Sequence, residues 1–200
     1  ETDALCEGLG WPEGKADVTV LAPFFHEGGR LTADDTHYLV APDSHLTPVG
    51  ESEFARDRAF GFEASHLPTW VEEKTSGQIA ASAVGSLSLD TIRKGGPTAV
   101  RDAVLRMPSG SVVVANAVEP EDMGVVALGC LMAEVEGPRR IMYRTAAALV
   151  AARAGIPARP LLSAAELVWQ SEAPDEPVAA TGGLVVVGSY VGKSTDQLAR

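Results

Sequence analysis

Three charged side chains sit where a small anion could be held. Arg144 follows the short apolar run Ile141-Met142-Tyr143 and precedes an alanine-rich helical pattern whose first hydroxyl is Thr145. A guanidinium fixed beside free helix N–H groups is an anion site, because its planar fork of donors matches a carboxylate and the helix dipole adds positive potential. The alternative is a surface arginine paired to a nearby carboxylate. Arg30 follows Gly28-Gly29, a pair that lets backbone approach a ligand closely; its alternative is a solvated loop arginine. Asp57 lies between Arg56 and Arg58, which on charge alone also reads as a solvated salt-bridge cluster.

Other constellations carry less. Gly188-Ser-Tyr-Val-Gly-Lys-Ser-Thr195 resembles a phosphate-binding loop, but four residues must separate its two glycines and Gly188 and Gly192 enclose three. A turn offering the Gly188 backbone and the Ser189 hydroxyl to a nucleotide remains. His26, His37, His45 and His66 match no metal-ligand spacing and read as ordinary hydrogen-bonded histidines. Cys6 and Cys130 form no Cys-x-x-Cys pair and read as reduced, buried thiols, which suits a cytoplasmic protein.

The elements that must position these residues follow from composition and pattern. The chain has 200 residues, 46% of them apolar and 22% charged, with a formal net charge of -11. A field of that sign disfavours nucleic acid and anionic membrane as partners, yet a few local arginines can still hold a small anion. Apolar runs such as Leu184–Val187 are too short to cross a bilayer.

Val18–Ala22 reads as a buried strand, followed by an aperiodic region over 24–66. Next come a helix from Leu67 to Thr75, a strand from Gln78 to Val84, and a helix capped by Ser88 and stopped at Gly95-Gly96. Pro97 opens another helix to Arg106. A strand at Ser111–Ala115, a helix at Glu119–Glu134, a strand at Arg140–Tyr143 and a helix from Thr145 to Ala154 follow, with Ser163 capping a further helix through Gln170. Residues 171–182 read as a linker, and a new strand and helix occupy 183–200. The expected fold is α/β: a mostly parallel sheet flanked by helices over 1–170, then the first strand and helix of a second α/β domain. Ligands in such sheets gather at the carboxyl ends of the strands, which selects Phe24–Arg30, Asn116-Ala117, Arg144-Thr145 and Gly188-Ser189-Tyr190.

At these positions the chain resembles the four-carbon acid sugar kinase family. The resemblance rests on Ala22-Pro-Phe-Phe-His-Glu-Gly-Gly-Arg30, His37-Tyr-Leu-Val40, Pro48–Asp57, Ser65-His-Leu-Pro68, Val114-Ala-Asn-Ala117, Tyr143-Arg-Thr-Ala-Ala147 and Gly182–Tyr190, in the family's order. It implies a two-domain ATP-dependent kinase acting on threonate, erythronate or 3-oxo-tetronate at the terminal hydroxyl, with ATP and Mg²⁺ as cofactors. Arg30, Asp57 and Arg144 become candidates for the sugar-acid pocket, Gly188 and Ser189 for the nucleotide, and Glu1 a neighbour of the pocket. A homodimer is compatible with it. The rival readings are a non-catalytic sugar-acid binding module and a P-loop hydrolase.

The family's Asp-Asp-x-Thr-Gly, Lys-x-Asp-Ser-Thr-x-Arg-Gly and Gly-Gly-Asp-Thr-Ala segments do not occur, and Glu1 stands where a helical pattern is already under way. The chain is therefore expected to be an internal piece with little kinase activity of its own. A coupled ADP-release assay with threonate-type acids checks this, and brisk turnover would refute it.

Overall fold

The computed structural model describes residues 2–157, 159, 160, 162 and 163. The chain divides into two compact units, Glu1–Ile156 and Pro157–Arg200, and the fold below is that of the first. The expected helix through Gln170, the linker at 171–182 and the new strand and helix at 183–200 lie outside the described residues.

After α1 (Thr2–Gly8) the chain enters β1 (Val18–Ala22). Its side chains alternate between two buried faces, as a central strand of a covered parallel sheet must. β1 is paired in parallel with β6 (Ser111–Ala115) on one side and β7 (Ile141–Thr145) on the other, and β5 (Gly85–Leu87) completes the order β5-β6-β1-β7. The described part of the chain is thus α/β, with a parallel sheet flanked by helices. Val18, Val20, Val113 and Ala115 pack under α3 (Leu89–Arg106), α4 (Pro120–Glu136) and α5 (Ala147–Ala154). Leu21 and Val114 face the other way, against Leu67 and Val71 of α2 (Leu67–Lys74).

Two expectations about these elements need correction. The expected strand at 78–84 is a bend and a short 3-10 turn; pairing begins only at Gly85, where β5 comes into register with Val113. Nor is the region 24–66 an aperiodic loop. It folds β2 (Arg30–Ala33), β3 (Thr36–Val40) and β4 (Leu46–Pro48) into a three-stranded antiparallel sheet. These strands are three to five residues long, too short for a hydrophobic period to show above the polar residues between them.

The break expected inside the helical stretch is present. Gly96 adopts φ 65°, ψ −167°, a conformation closed to other residues, and Pro97 restarts the helix. Ser88 caps the first half, accepting from the Thr91 amide at 3.1 Å. α4 starts on a capping box in which Asp122 accepts from the Glu119 amide at 3.0 Å and the Val118 amide at 2.9 Å. The same carboxylate takes both donors of Arg93 at 2.8 Å, which ties α4 to α3. Burial pushes the Asp122 carboxyl up, but Arg93 and the two amides outweigh it and hold it below the ordinary carboxylate range.

The small sheet is docked on the large one through backbone. Thr32 and Ala117 exchange N–H···O bonds of 2.9 and 3.0 Å, and Asn116, just past β6, receives the Asp35 amide at 2.8 Å on its side-chain oxygen. Its amide nitrogen donates to Asp35 Oδ1 at 2.7 Å and to the Leu87 carbonyl at 3.1 Å. Asp34 and Asp35 take the left-handed conformation (φ 47° and 56°) that a two-residue hairpin needs. Opposite each other in β2 and β3, Thr32 and His37 are buried, with Thr32 Oγ1 2.9 Å from His37 Nδ1. Burial, helped by the Arg30 charge, lowers the His37 pKa to about 4.

Asp122→Ala removes the α4 cap and should cost about 1–2 kcal/mol, seen as a lower urea midpoint with unchanged slope. His37 imposes a pH dependence of known sign. Below its ordinary value of 6.5 the unfolded chain binds a proton that the folded ring refuses until about pH 4, so stability falls as pH drops through that window. The effect is at most about 3 kcal/mol. Melting temperatures of wild type and His37→Gln between pH 7 and 4.5 test it: the wild type should fall more steeply, and parallel curves would show that the folded ring protonates freely.

Candidate functional site

A cleft of about 380 Å³ opens where the carboxyl ends of β1 and β7 meet the small sheet, and both Arg30 and Arg144 line it. Each arrives by a separate route. Arg144 is in register with Leu21 in the β1–β7 ladder, so it stands on the face that α2 covers. There its guanidinium carbon lies 5.2 Å from the ring centre of Trp70 of α2. Arg30 opens β2, after a tight turn in which Phe25 and Arg30 bond to each other and the Gly29 amide donates to His26. Alternation along β2 puts Arg30 on the same face as Thr32, hence as His37 across the pair. Its guanidinium carbon lies 5.1 Å from the centre of the Phe54 ring.

Aromatic stacking fixes a guanidinium while leaving its edge of N–H donors open to a ligand. Arg93, Arg101, Arg140 and Arg153 all hold carboxylates. Among the described residues, Arg30 and Arg144 have none within ion-pair distance and no carboxylate lines the cleft. The rest of the lining is chiefly apolar, with Leu21, Val49, Phe62 and Leu67 beside His37. Such walls lower the local dielectric and strengthen whatever charge pairing occurs inside. The cleft is thus a cationic recess on an acidic chain.

Several expected details are corrected. Arg144 lies within β7 rather than after it. Thr145 does not cap α5: its hydroxyl donates to backbone carbonyls, 3.0 Å from Ala22 O and 2.9 Å from Ala146 O. Ala146 is the N-cap and provides no side-chain acceptor, so the first N–H groups of α5 are uncapped next to a residue of the cleft wall. The Gly28-Gly29 pair makes a turn in which a Cβ on Gly29 (φ +62°) would meet the Val40 carbonyl at 2.9 Å.

Asp57 is not among the residues lining the cleft. Its Oδ1 accepts from the amides of Ala59 and Phe60 at 2.8 and 2.7 Å, and its carbonyl accepts from Gly61, so it organises the turn that carries Phe62. Glu1, Gly188, Ser189 and Lys193 lie outside the described residues. Among those described, no group of His, Cys, Asp and Glu could hold a metal ion. Cys6 and Cys130 are both buried and free, and burial, with Glu134 nearby, pushes the Cys130 thiol up to about 12, far from a reactive thiolate. No described helix is long and apolar enough to cross a membrane.

Sequence reasoning missed three members of the cleft. His37 and Phe54 lie in segments that carry the family resemblance but were given no role, and Trp70 lies in none of those segments. The available signal was the Asp34-Asp35 pair flanked by Leu31–Ala33 and His37–Val40, a hairpin cue that would have put His37 opposite Thr32.

The model for the family described as "sugar-binding N-terminal domain" matches residues 1–153. A Haemophilus influenzae protein carrying the DUF1537 family model superposes with a TM-score of 0.54 at 18% identity, over 76% of this chain and 32% of that one. A Salmonella typhimurium LT2 protein with a provisional tRNA synthase name superposes with a TM-score of 0.52 at 19% identity, over 77% of this chain and 33% of that one. At such identities the likeness concerns the fold, and the chain spans about a third of the length of these solved structures. No curated protein matches the sequence. The chain belongs to the sugar-binding N-terminal domain family.

Proposed function

We propose that this chain is the acid-sugar-binding part of an ATP-dependent kinase that phosphorylates a four-carbon acid sugar, of the threonate, erythronate or 3-oxo-tetronate type, at its terminal hydroxyl. The observation that carries the reading is the pair of arginines in one small cleft, each stacked on an aromatic ring and without a carboxylate partner among the described residues. A four-carbon acid fits a volume of about 380 Å³ with room for solvent or a second ligand. Its carboxylate pairs with Arg144, next to the uncapped start of α5, while Arg30 neutralises charge from the side of the small sheet. Membership of a sugar-binding family supports the substrate class.

The same reading puts nucleotide contact at Gly188 and Ser189. Transfer of a γ-phosphoryl group depends on positioning and charge neutralisation, which Mg²⁺ normally supplies. The described residues do not fit a Mg²⁺ site, since they include no cluster of metal-ligating side chains. Their part is to hold and orient the acid in a recess of low dielectric.

Arg144→Ala removes a charge-assisted contact of about 1.5–3 kcal/mol and should weaken threonate binding roughly 10- to 100-fold. ATP affinity of the parent enzyme should stay nearly unchanged. Isothermal titration with each ligand decides the matter; loss of ATP binding with intact threonate binding would move Arg144 to the other pocket.

A further inference from the structure

A guanidinium and the positive end of a helix are drawn to a carboxylate ahead of a neutral oxygen. They hold a carboxylate well but do not tell a hydroxylated acid from a plain one. Of the side chains lining the cleft, His37 stands apart: it is a ring with one nitrogen already assigned. The antiparallel register places Arg30, Thr32 and His37 on one face of the small sheet, so the ring lies beside a guanidinium that carries no carboxylate among the described residues.

Thr32 determines how the ring is presented. Its side chain is fully buried, and the contact of its hydroxyl is His37 Nδ1 at 2.9 Å. A buried hydroxyl proton must find an acceptor, so Thr32 donates and Nδ1 accepts. A ring that accepts at Nδ1 carries its proton on Nε2. Burial and the neighbouring Arg30 charge keep the ring neutral at physiological pH. The cleft therefore holds two charged groups suited to a carboxylate and, on His37, an uncharged N–H suited to a neutral oxygen.

We propose that His37, its ring oriented by the Thr32 hydroxyl, is a specificity-determining residue that donates from Nε2 to a hydroxyl oxygen of the bound acid. This rests on the acid-sugar reading of the cleft and names the group that makes the cleft select hydroxylated acids over plain ones of equal charge and chain length.

The test compares threonate with butanoate, which has the same carboxylate and carbon count without the hydroxyls, by isothermal titration on the full 200-residue chain. The wild type should prefer threonate by roughly tenfold or more, the worth of a hydrogen bond in a desolvated site. His37→Asn keeps a group at the Nδ1 position for Thr32 but does not reach into the cleft; it should bind both acids alike. His37→Gln, whose amide reaches the Nε2 position, should restore part of the preference. Circular dichroism checks that the variants fold, and Thr32→Val, expected to narrow the preference by freeing the ring, decides the matter should His37→Asn unfold. A preference that survives in the folded His37→Asn variant, or in Thr32→Val if that is the deciding variant, overturns the assignment of His37 alone. A wild type that binds neither acid overturns the reading of the cleft itself.

Discussion

The site depends on one junction: the backbone bridge between Thr32 and Ala117, locked by the side chain of Asn116. Asn116 is buried, and it satisfies an amide of the hairpin turn, a carboxylate of the same turn and a carbonyl of β5 at once. A buried amide group left unpaired there would cost about 1–3 kcal/mol, so the three partners hold the turn in one place. That fixed turn carries β2 with Arg30, and β3 with His37, to the carboxyl edge of the parallel sheet. The same hairpin is also tied to the start of α2, through the His37 amide on the Ser65 carbonyl and the Leu67 amide on the Asp35 carbonyl, while the β1–β7 ladder positions Arg144 independently.

The distribution of charge shows a division of labour. At the opposite end of the sheet, Asp17 takes the Arg140 backbone amide and two guanidinium nitrogens at 2.6–2.9 Å, and these bonds hold its carboxyl well below the usual range. Arg93 ties α3 to α4, and Arg153 joins Glu134 to Tyr143 between α4 and β7. In each of these a carboxylate neutralises the cation and a structural joint results. At the cleft, aromatic rings take the place of carboxylates. A ring face steadies a guanidinium for roughly 0.5–1 kcal/mol without removing its net charge, so the potential remains available to a ligand. A chain of net charge -11 can in this way keep a positive recess.

Much of this was legible in the sequence. Val18–Ala22, Ser111–Ala115 and the helices at Leu67, Ser88 and Glu119 follow from β-branched runs, proline at the first turn, a serine cap and acidic first turns. These are local signals, and local physics is enough to produce them. From strands alternating with helices came the parallel sheet, and from the parallel sheet came the carboxyl edge as the place for chemistry. Arg30 and Arg144 were selected by that rule before any cleft was in view.

Which residues meet at that edge is a property of the folded chain. The small sheet left no period because its strands are short, so His37 stayed one histidine among four. Thr145 was expected to cap a helix, but the β1–β7 ladder holds it opposite Ala22 and the helix starts later, with Ala146 as its N-cap. Asp57, flanked by two arginines in sequence, binds the amides of its own turn, because backbone donors two and three residues ahead come within reach first. Residue types and periodicities are written along one dimension and specify elements. The pairing of Arg144 with Trp70 and of His37 with Thr32 depends on register and docking, set by backbone hydrogen bonds between distant segments, and there only the tertiary structure could decide.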